Sequence, residues 1–287
     1  MPKFATPDPI SLDLAIDAGA VRIIAEDRTD TVVDVRPSGS RDADAKAADQ
    51  TRVAYSRGRL TVHGPKQRQV FTRGGSVNVT VELPAGSHVR ISAAMAAVRG
   101  EGRLGEVAVE TSAGAIQLDR SDALHLRTSH GHITVDGSTA RADIATSHGD
   151  VTVSDVAGDA VVKTSNGATR IGAVGGELRV SAANGDITVA QADANVHAKT
   201  ARGDIRIGEV VRDAVVLETA HGEIEVGIRP GSAAWLDAST GHGTVRSTLS
   251  ESDGPETADE TVEVRAHTSV GDIVVRRSAK ARAGLGY

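Results

Sequence analysis

The chain has 287 residues and a formal net charge of −6, with both signs interspersed, so it lacks the basic face that a general nucleic-acid binder needs. Aromatic residues make up only 2% of it, so a core must come from Val, Ile, Leu and Ala, and the branched ones suit a pleated, half-buried surface. It has no cysteine, which excludes disulfides and cysteine-held metals, and no run approaching the roughly 20 apolar residues of a membrane span.

The first residues, MPKFATPDPISLDL, have no apolar stretch behind a basic start, and on this reading the protein stays in the cytoplasm. Short alternating runs follow at 10–16, 21–26, 31–36, 52–56, 59–64 and 76–83, with Gly, Asp and Pro in the gaps. That pattern predicts antiparallel strands joined by turns. Segment 37–51, PSGSRDADAKAADQT, is polar and reads as a loop, and Pro84-Ala85-Gly86 reads as a junction.

Beyond the junction the chain repeats itself. The clearest copies are LHLRTSHGHITV (124–135), ADIATSHGDVTV (142–153), AVVKTSNGATRI (160–171), LRVSAANGDITV (178–189), VHAKTARGDIRI (196–207) and VVLETAHGEIEV (215–226). The shared glycines are Gly114, Gly131, Gly149, Gly167, Gly185, Gly203, Gly222, Gly243 and Gly271. A degenerate copy precedes them, with Val89, Ile91 and Ala93 leading to Ala96 in the glycine slot. Counting from the glycine, positions −7, −5 and −3 share one face and +2 and +4 another, as in Leu178/Val180 and Ile187/Val189. This gives two period-2 strands per unit, apolar side inward, with a corner at the glycine.

So short a unit cannot bury its own apolar face and must stack on its neighbours, and it has no room for a helical crossover. The predicted fold is all-β: a single-domain parallel β-helix (β-solenoid) of about ten coils of roughly 18 residues. Right-handed winding is preferred. An N-terminal antiparallel β cap occupies 1–85, the solenoid 86–276 and a basic C-terminal tail 277–287. The cap is needed because an end coil exposes unpaired backbone. The acidic insertion STLSESDGPETADET (247–261) reads as a protruding loop, and Arg276, Arg277, Lys280 and Arg282 as a solvated tail.

Three ladders of side chains follow from the stacking. Thr fills position −3 in Thr111, Thr128, Thr146, Thr164, Thr200, Thr219, Thr240 and Thr268, where an inward hydroxyl can satisfy backbone groups at the bend. The residue before the glycine runs through His130, His148, Asn166, Asn184, Arg202, His221 and His242. The residue after it includes His132, Asp150, Asp186, Asp204, Glu223 and Asp272. The candidate binding edge is therefore His130, His132, His148, Asp150, Asn166, Asn184, Arg202, His221, Glu223 and His242.

Imidazole and carboxylate could hold zinc or nickel, with His130, His132, His148 and Asp150 as one group and His221, Glu223 and His242 as another. A ladder that faces one way does not surround an ion, so no metal and no cofactor is expected. Paired carboxylates could also act as general acid and base on a polysaccharide. One Trp, two Tyr and two Phe give almost no stacking platform for sugars, and no coil breaks the repeat with singular chemistry. No catalytic residue is assigned.

The G-x-I-x-V core, the T-S-x-G corners and the step VNVTVELPAGS (77–87) together resemble the bacterial putative-adhesin β-strand-repeat family, over about 10–276. The resemblance implies a short-coil β-solenoid. It brings no catalytic residues, and the family's function is unknown. The leading reading is a non-enzymatic binding or scaffold module that presents a rigid surface to a macromolecular partner, a protein rather than a nucleic acid, with no membrane span. One alternative is self-assembly, as in the bactofilins, with end-to-end pairing through the last coil (Val264, Ala266, Ile273, Val275). The other is a polysaccharide-acting enzyme like the larger β-helix lyases.

Overall fold

The computed structural model describes residues 1–65, 74–249 and 260–278. They fall into two compact units, Met1–Val153 and Ser154–Tyr287. Each is a parallel β-solenoid stack whose coil is two strands meeting at a corner. No helix among the described residues is long and apolar enough to cross a membrane.

In the first unit, β2 (Ser11–Glu26) lies parallel to β7 (His88–Ala113), with Leu12 beside Val89 and Leu14 beside Ile91. Gly19 sits beside Ala96, so the degenerate copy has Ala96 in the glycine slot, as its parity predicts. Next comes β8 (Ile116–His130), followed by β9 (Ile133–Ser138) on its first half and β10 (Ala142–His148) on its second. The inward residues of these strands, among them Leu14, Ile91, Ile116, Leu126 and Ile144, are fully buried.

The antiparallel reading of 1–85 holds for only part of that segment. β5 (Arg59–His63) runs parallel to the first half of β2, with Leu60 beside Leu12, and β6 (Val77–Pro84) runs parallel to its second half, with Val79 beside Val21. The β2 coil is thus flanked by the β5–β6 coil on one side and the β7 coil on the other. Among the described residues, antiparallel pairing is confined to β1 (Lys3–Ala5) on β3, β3 (Asp30–Pro37) on β6, and β4 (Arg52–Ser56) on β5. Alternation alone does not distinguish the two senses of pairing.

The loop expected at 37–51 contains a helix, α1 (Asp42–Gln50). Alanines favour it, and Asp42 and Asp44 suit its positive N-terminal end. Asp44 is buried and accepts hydrogen bonds from the Ser76 amide at 2.9 Å and the Arg41 guanidinium at 2.7 and 3.1 Å. Those bonds, the Ser76 amide foremost, hold its carboxyl below the usual range. Nine residues are too few to show a helical period in a polar segment.

In the second unit, β12 (Ala160–Asn166), β14 (Leu178–Asn184), β16 (Val196–Arg202) and β18 (Asp213–His221) stack in chain order. So do β13 (Thr169–Val174), β15 (Ile187–Ala192), β17 (Ile205–Val210) and β19 (Ile224–Ile228). Then the order changes. The remaining strands are β20 (Ser232–His242), β21 (Val245–Ser247), β22 (Glu260–Val270) and β23 (Ile273–Arg277). β22 pairs with both β18 and β20, so Val264 lies between Val215 and Leu236. β23 likewise lies between β19 and β21.

The last coil in the sequence is therefore the penultimate one in space. Val264, Ala266, Ile273 and Val275, expected at the exposed end, are buried, and β20–β21 forms the end among the described residues. The tail reading also changes at its start. Arg276 Nε donates to Glu225 at 2.6 Å, and Arg277 Nη1 donates to the carbonyls of Ser232 at 2.8 Å and Arg229 at 3.0 Å. Lys280 and Arg282, like residues 250–259 of the acidic insertion, lie outside the described residues.

Stacking explains the glycine of each corner. A Cβ on Gly222 would sit 2.0 Å from the carbonyl oxygen of Gly203, at a φ of +155°. The threonine ladder works on the same groups. Thr219 Oγ1 donates to Gly203 O at 3.1 Å, Thr268 Oγ1 to Gly222 O at 3.1 Å and Thr240 Oγ1 to Gly271 O at 2.9 Å. These three hydroxyls reach the corner of the adjacent coil, as their inward parity predicts, whereas Thr111 Oγ1 donates to Ala113 O of its own strand and the buried Thr164 Oγ1 has no hydrogen-bond partner among the described residues.

Candidate functional site

The candidate edge divides into two columns with different duties. The column before the glycine points outward and is exposed. In the first unit, His130 and His148 occupy matching positions and stack face to face, with ring centroids 4.8 Å apart and planes 1° from parallel. In the second unit, Asn184 Nδ2 donates to Asn166 Oδ1 at 3.0 Å. Arg202 lies in register between Asn184 and His221. Val270 lies in register with both His221 and His242.

That last placement separates two residues the sequence had grouped. Because the β22–β23 coil is inserted, His221 and His242 stand two coils apart with Val270 between them, so His221, Glu223 and His242 do not converge. Among the described residues no cluster of three or more His, Asp or Glu is arranged to hold a metal ion.

In the column after the glycine, His132, Asp186, Asp204 and Asp272 are tied to the backbone of adjacent coils, while Glu223 is exposed. His132 Nδ1 accepts the amide N–H of Asp150 at 3.0 Å. Asp186 Oδ1 accepts from the Asp204 amide at 2.9 Å, and Asp204 Oδ1 from the Glu223 amide at 2.8 Å. Asp272 Oδ1 accepts from the Thr244 amide at 2.8 Å, and the Thr244 amide and hydroxyl hold its carboxyl below the usual range. Each acceptor ties its own coil to the next at a corner where the strand ladder is interrupted. The same device recurs elsewhere, with His88 Nδ1 accepting from the Glu106 amide at 3.1 Å and Asp159 Oδ1 from the Glu177 amide at 2.9 Å.

The sequence reading weighed the stacked carboxylates as general acids and bases and missed this role. The signal was present as an Asp, Asn or His recurring at the same place in successive coils. The carboxylates are also spaced as neighbours up a ladder, not as a pair facing each other across a cleft. Asp204 has a further partner in Arg206 at 2.7 Å.

The model of the Toastrack DUF4097 family matches residues 10–276. The chain belongs to that family. The Toastrack match opens at Ile10, next to the start of β2, and closes at Arg276, within β23, so it takes in the displaced coils at both ends. No curated protein matches the chain. Among solved structures, the Toastrack chain is similar to a putative adhesin from Parabacteroides distasonis ATCC 8503, at 15% identity over 95% of each chain with a TM-score of 0.47. It is also similar to a putative adhesin from Bacteroides fragilis NCTC 9343, at 14% identity over 96% of this chain and 95% of that one, TM-score 0.39. A putative lipid binding protein from Parabacteroides distasonis ATCC 8503 aligns at 11% identity over 94% of this chain and 95% of that one, TM-score 0.41.

Proposed function

We propose that this Toastrack chain is a non-enzymatic binding module, and that the outward corner column is the surface it offers to a macromolecular partner, a protein. The observation that carries the reading is the division of labour at the corner. In one column His132, Asp186, Asp204 and Asp272 are engaged by backbone amides. The other presents exposed imidazole, amide and guanidinium groups: His130 and His148 in the first unit, and Asn166, Asn184, Arg202, His221 and His242 in the second. This second column carries no carboxylate, so it suits a partner face rich in carbonyl or carboxylate acceptors. Acid–base hydrolysis of a glycan is the weaker reading, because Asp186, Asp204 and Asp272 are held by the amides of adjacent coils.

The test replaces Asn184, Arg202 and His221 together with alanine. A control replaces Thr188, Glu225 and Arg246, which belong to the row three residues after the glycine. Loss of partner retention in the first variant alone is the expected result. Equal retention by both would place the binding surface elsewhere. Product release from a panel of acidic polysaccharides would overturn the non-enzymatic part of the reading.

A further inference from the structure

We propose that the β20–β21 coil is a two-fold interface on which a second copy of this chain seats edge to edge. The inward side chains of this coil are unlike those of any coil beneath it. In β22, Val262, Val264 and Ala266 are buried, but their neighbours in β20, Ala234, Leu236 and Ala238, are only half-buried. Val245 is 45% exposed, whereas its neighbour Ile273 is fully buried. Trp235, on the outward side of the same strand, is 59% exposed.

Among the described residues, no strand pairs with the edge of β20 that faces away from β22. β20 is eleven residues long and holds an unbroken register with β22 from Ser232 to Thr240. Edge strands are normally blunted by Lys, Pro or bulges. β20 has none of these, and its one charged residue is Asp237. The antiparallel strands of the first unit show the usual devices: Lys3 in β1, Arg52 in β4, and Arg36 and Pro37 closing β3.

A second copy fits this edge by symmetry. An edge strand that pairs with its own counterpart about a two-fold axis pairs antiparallel and makes an isologous contact. With the axis through Leu236, Leu236 meets its counterpart, Ala234 meets Ala238 and Ser232 meets Thr240. The period of two keeps every inward residue opposite an inward one. Asp237 then faces Trp235 of the other copy, with its own Arg265 in register behind it, so no like charges stand opposite each other. An axis through Asp237 would oppose two carboxylates, which is unfavourable.

The size of the contact sets its strength. Eleven residues of strand extend about 36 Å, and a depth of roughly 10 Å gives about 700 Å² counted over both copies. A standard stable interface buries about 1,200–2,000 Å². The association is therefore weak and concentration-dependent. Segments 250–259 and 279–287 of the same chain are the rival occupants.

Sedimentation and light scattering of the full chain from about 1 to 500 μM, spanning weak to moderate affinities, should show a dimer fraction that rises with concentration. Leu236→Lys, checked for native far-UV circular dichroism, should abolish it. The chain has no cysteine, so Leu236→Cys gives a clean second measurement. Cα atoms paired across antiparallel strands lie within disulfide reach, so oxidation should yield a covalent dimer. Ser239→Cys, which faces Ala233, should not. A monomer at every concentration overturns the proposal, as does a dimer indifferent to Leu236→Lys. Dimerisation that appears only after deletion of 250–259 or 279–287 also overturns it, by giving the edge to the chain itself.

Discussion

Gly222→Ala tests the stacking argument at one atom. The new Cβ would lie 2.0 Å from Gly203 O and 2.5 Å from its carbonyl carbon, well inside any normal contact. Relief requires a shift of about 1 Å, because contacts below about 3 Å are overpacked. Gly203 is not free to give that much. Its N–H donates to His221 O at 2.9 Å, and its carbonyl accepts from Thr219 at 3.1 Å. Holding a non-glycine residue at such a φ costs about 1–3 kcal/mol, and overpacking adds about 1–3 kcal/mol more. The sum of about 2–6 kcal/mol is a large share of the 5–15 kcal/mol typical of a whole domain.

Gly231→Ala is the matched control, since its φ is +97° and an added Cβ there meets nothing within 4 Å. It should carry only the conformational part, about 1–3 kcal/mol. Urea unfolding followed by far-UV circular dichroism reads both, provided the slopes agree. If the two variants lose the same stability, clearance between coils is not what selects glycine at the corners, and the reasoning fails.

Thr219→Val keeps the shape and removes the hydroxyl that donates to Gly203 O, so it should cost about 0.5–1.5 kcal/mol in the same assay, with Thr219→Ser closer to the parent. The Asp30 carboxyl is lowered to about 2 by hydrogen bonds from Arg28 and then Lys3. A depressed folded pKa gives stability that is complete above the ordinary carboxylate value and is lost as pH falls from about 4 to about 2. Asp30→Asn should flatten stability across that window, and a carboxyl titration by NMR with its midpoint near 4 would contradict the assignment. Arg277→Ala removes two charge-assisted bonds to carbonyls of the chain around Arg229–Ser232. It should cost about 1–2 kcal/mol, given partial exposure, and speed amide exchange at 229–232.

The coil was legible because its two rules are strict. Inward positions alternate, and glycine recurs at every corner of the repeat except Ala96, so Leu178, Val180, Gly185, Ile187 and Val189 could be placed from the pattern alone. The same parity surrounds Gly19, with Leu12 and Leu14 before it and Val21 and Ile23 after it, but Ile16-Asp17 stands where other corners have Thr-Ser. That coil was therefore read as part of an antiparallel cap. Coil order was not legible at all. Leu236 and Val264 hold the same position relative to Gly243 and Gly271, so either strand fits on β18 equally well by pattern. The binding edge was named from its residue types, but the separation of His221 from His242 depended on that order. The anchoring of Asp186, Asp204 and Asp272 depended on distances that only the fold supplies.

The interleaving of β22–β23 beneath β20–β21 also bears on how the protein is made. During synthesis β20 leaves the ribosome before β22 exists, and the ready surface before it is β18. Seated there, Leu236 would fall on Val215, Ala238 on Leu217 and Thr240 on Thr219, a register that satisfies every rule of the stack. This premature partner is wrong only because a later segment belongs in the gap. Residues 260–277 must either arrive while β20 is still undocked or displace it, so completion of this end waits until they have been made. A chain interrupted before Glu260 would close on itself with a coil missing and little in its packing to betray the loss.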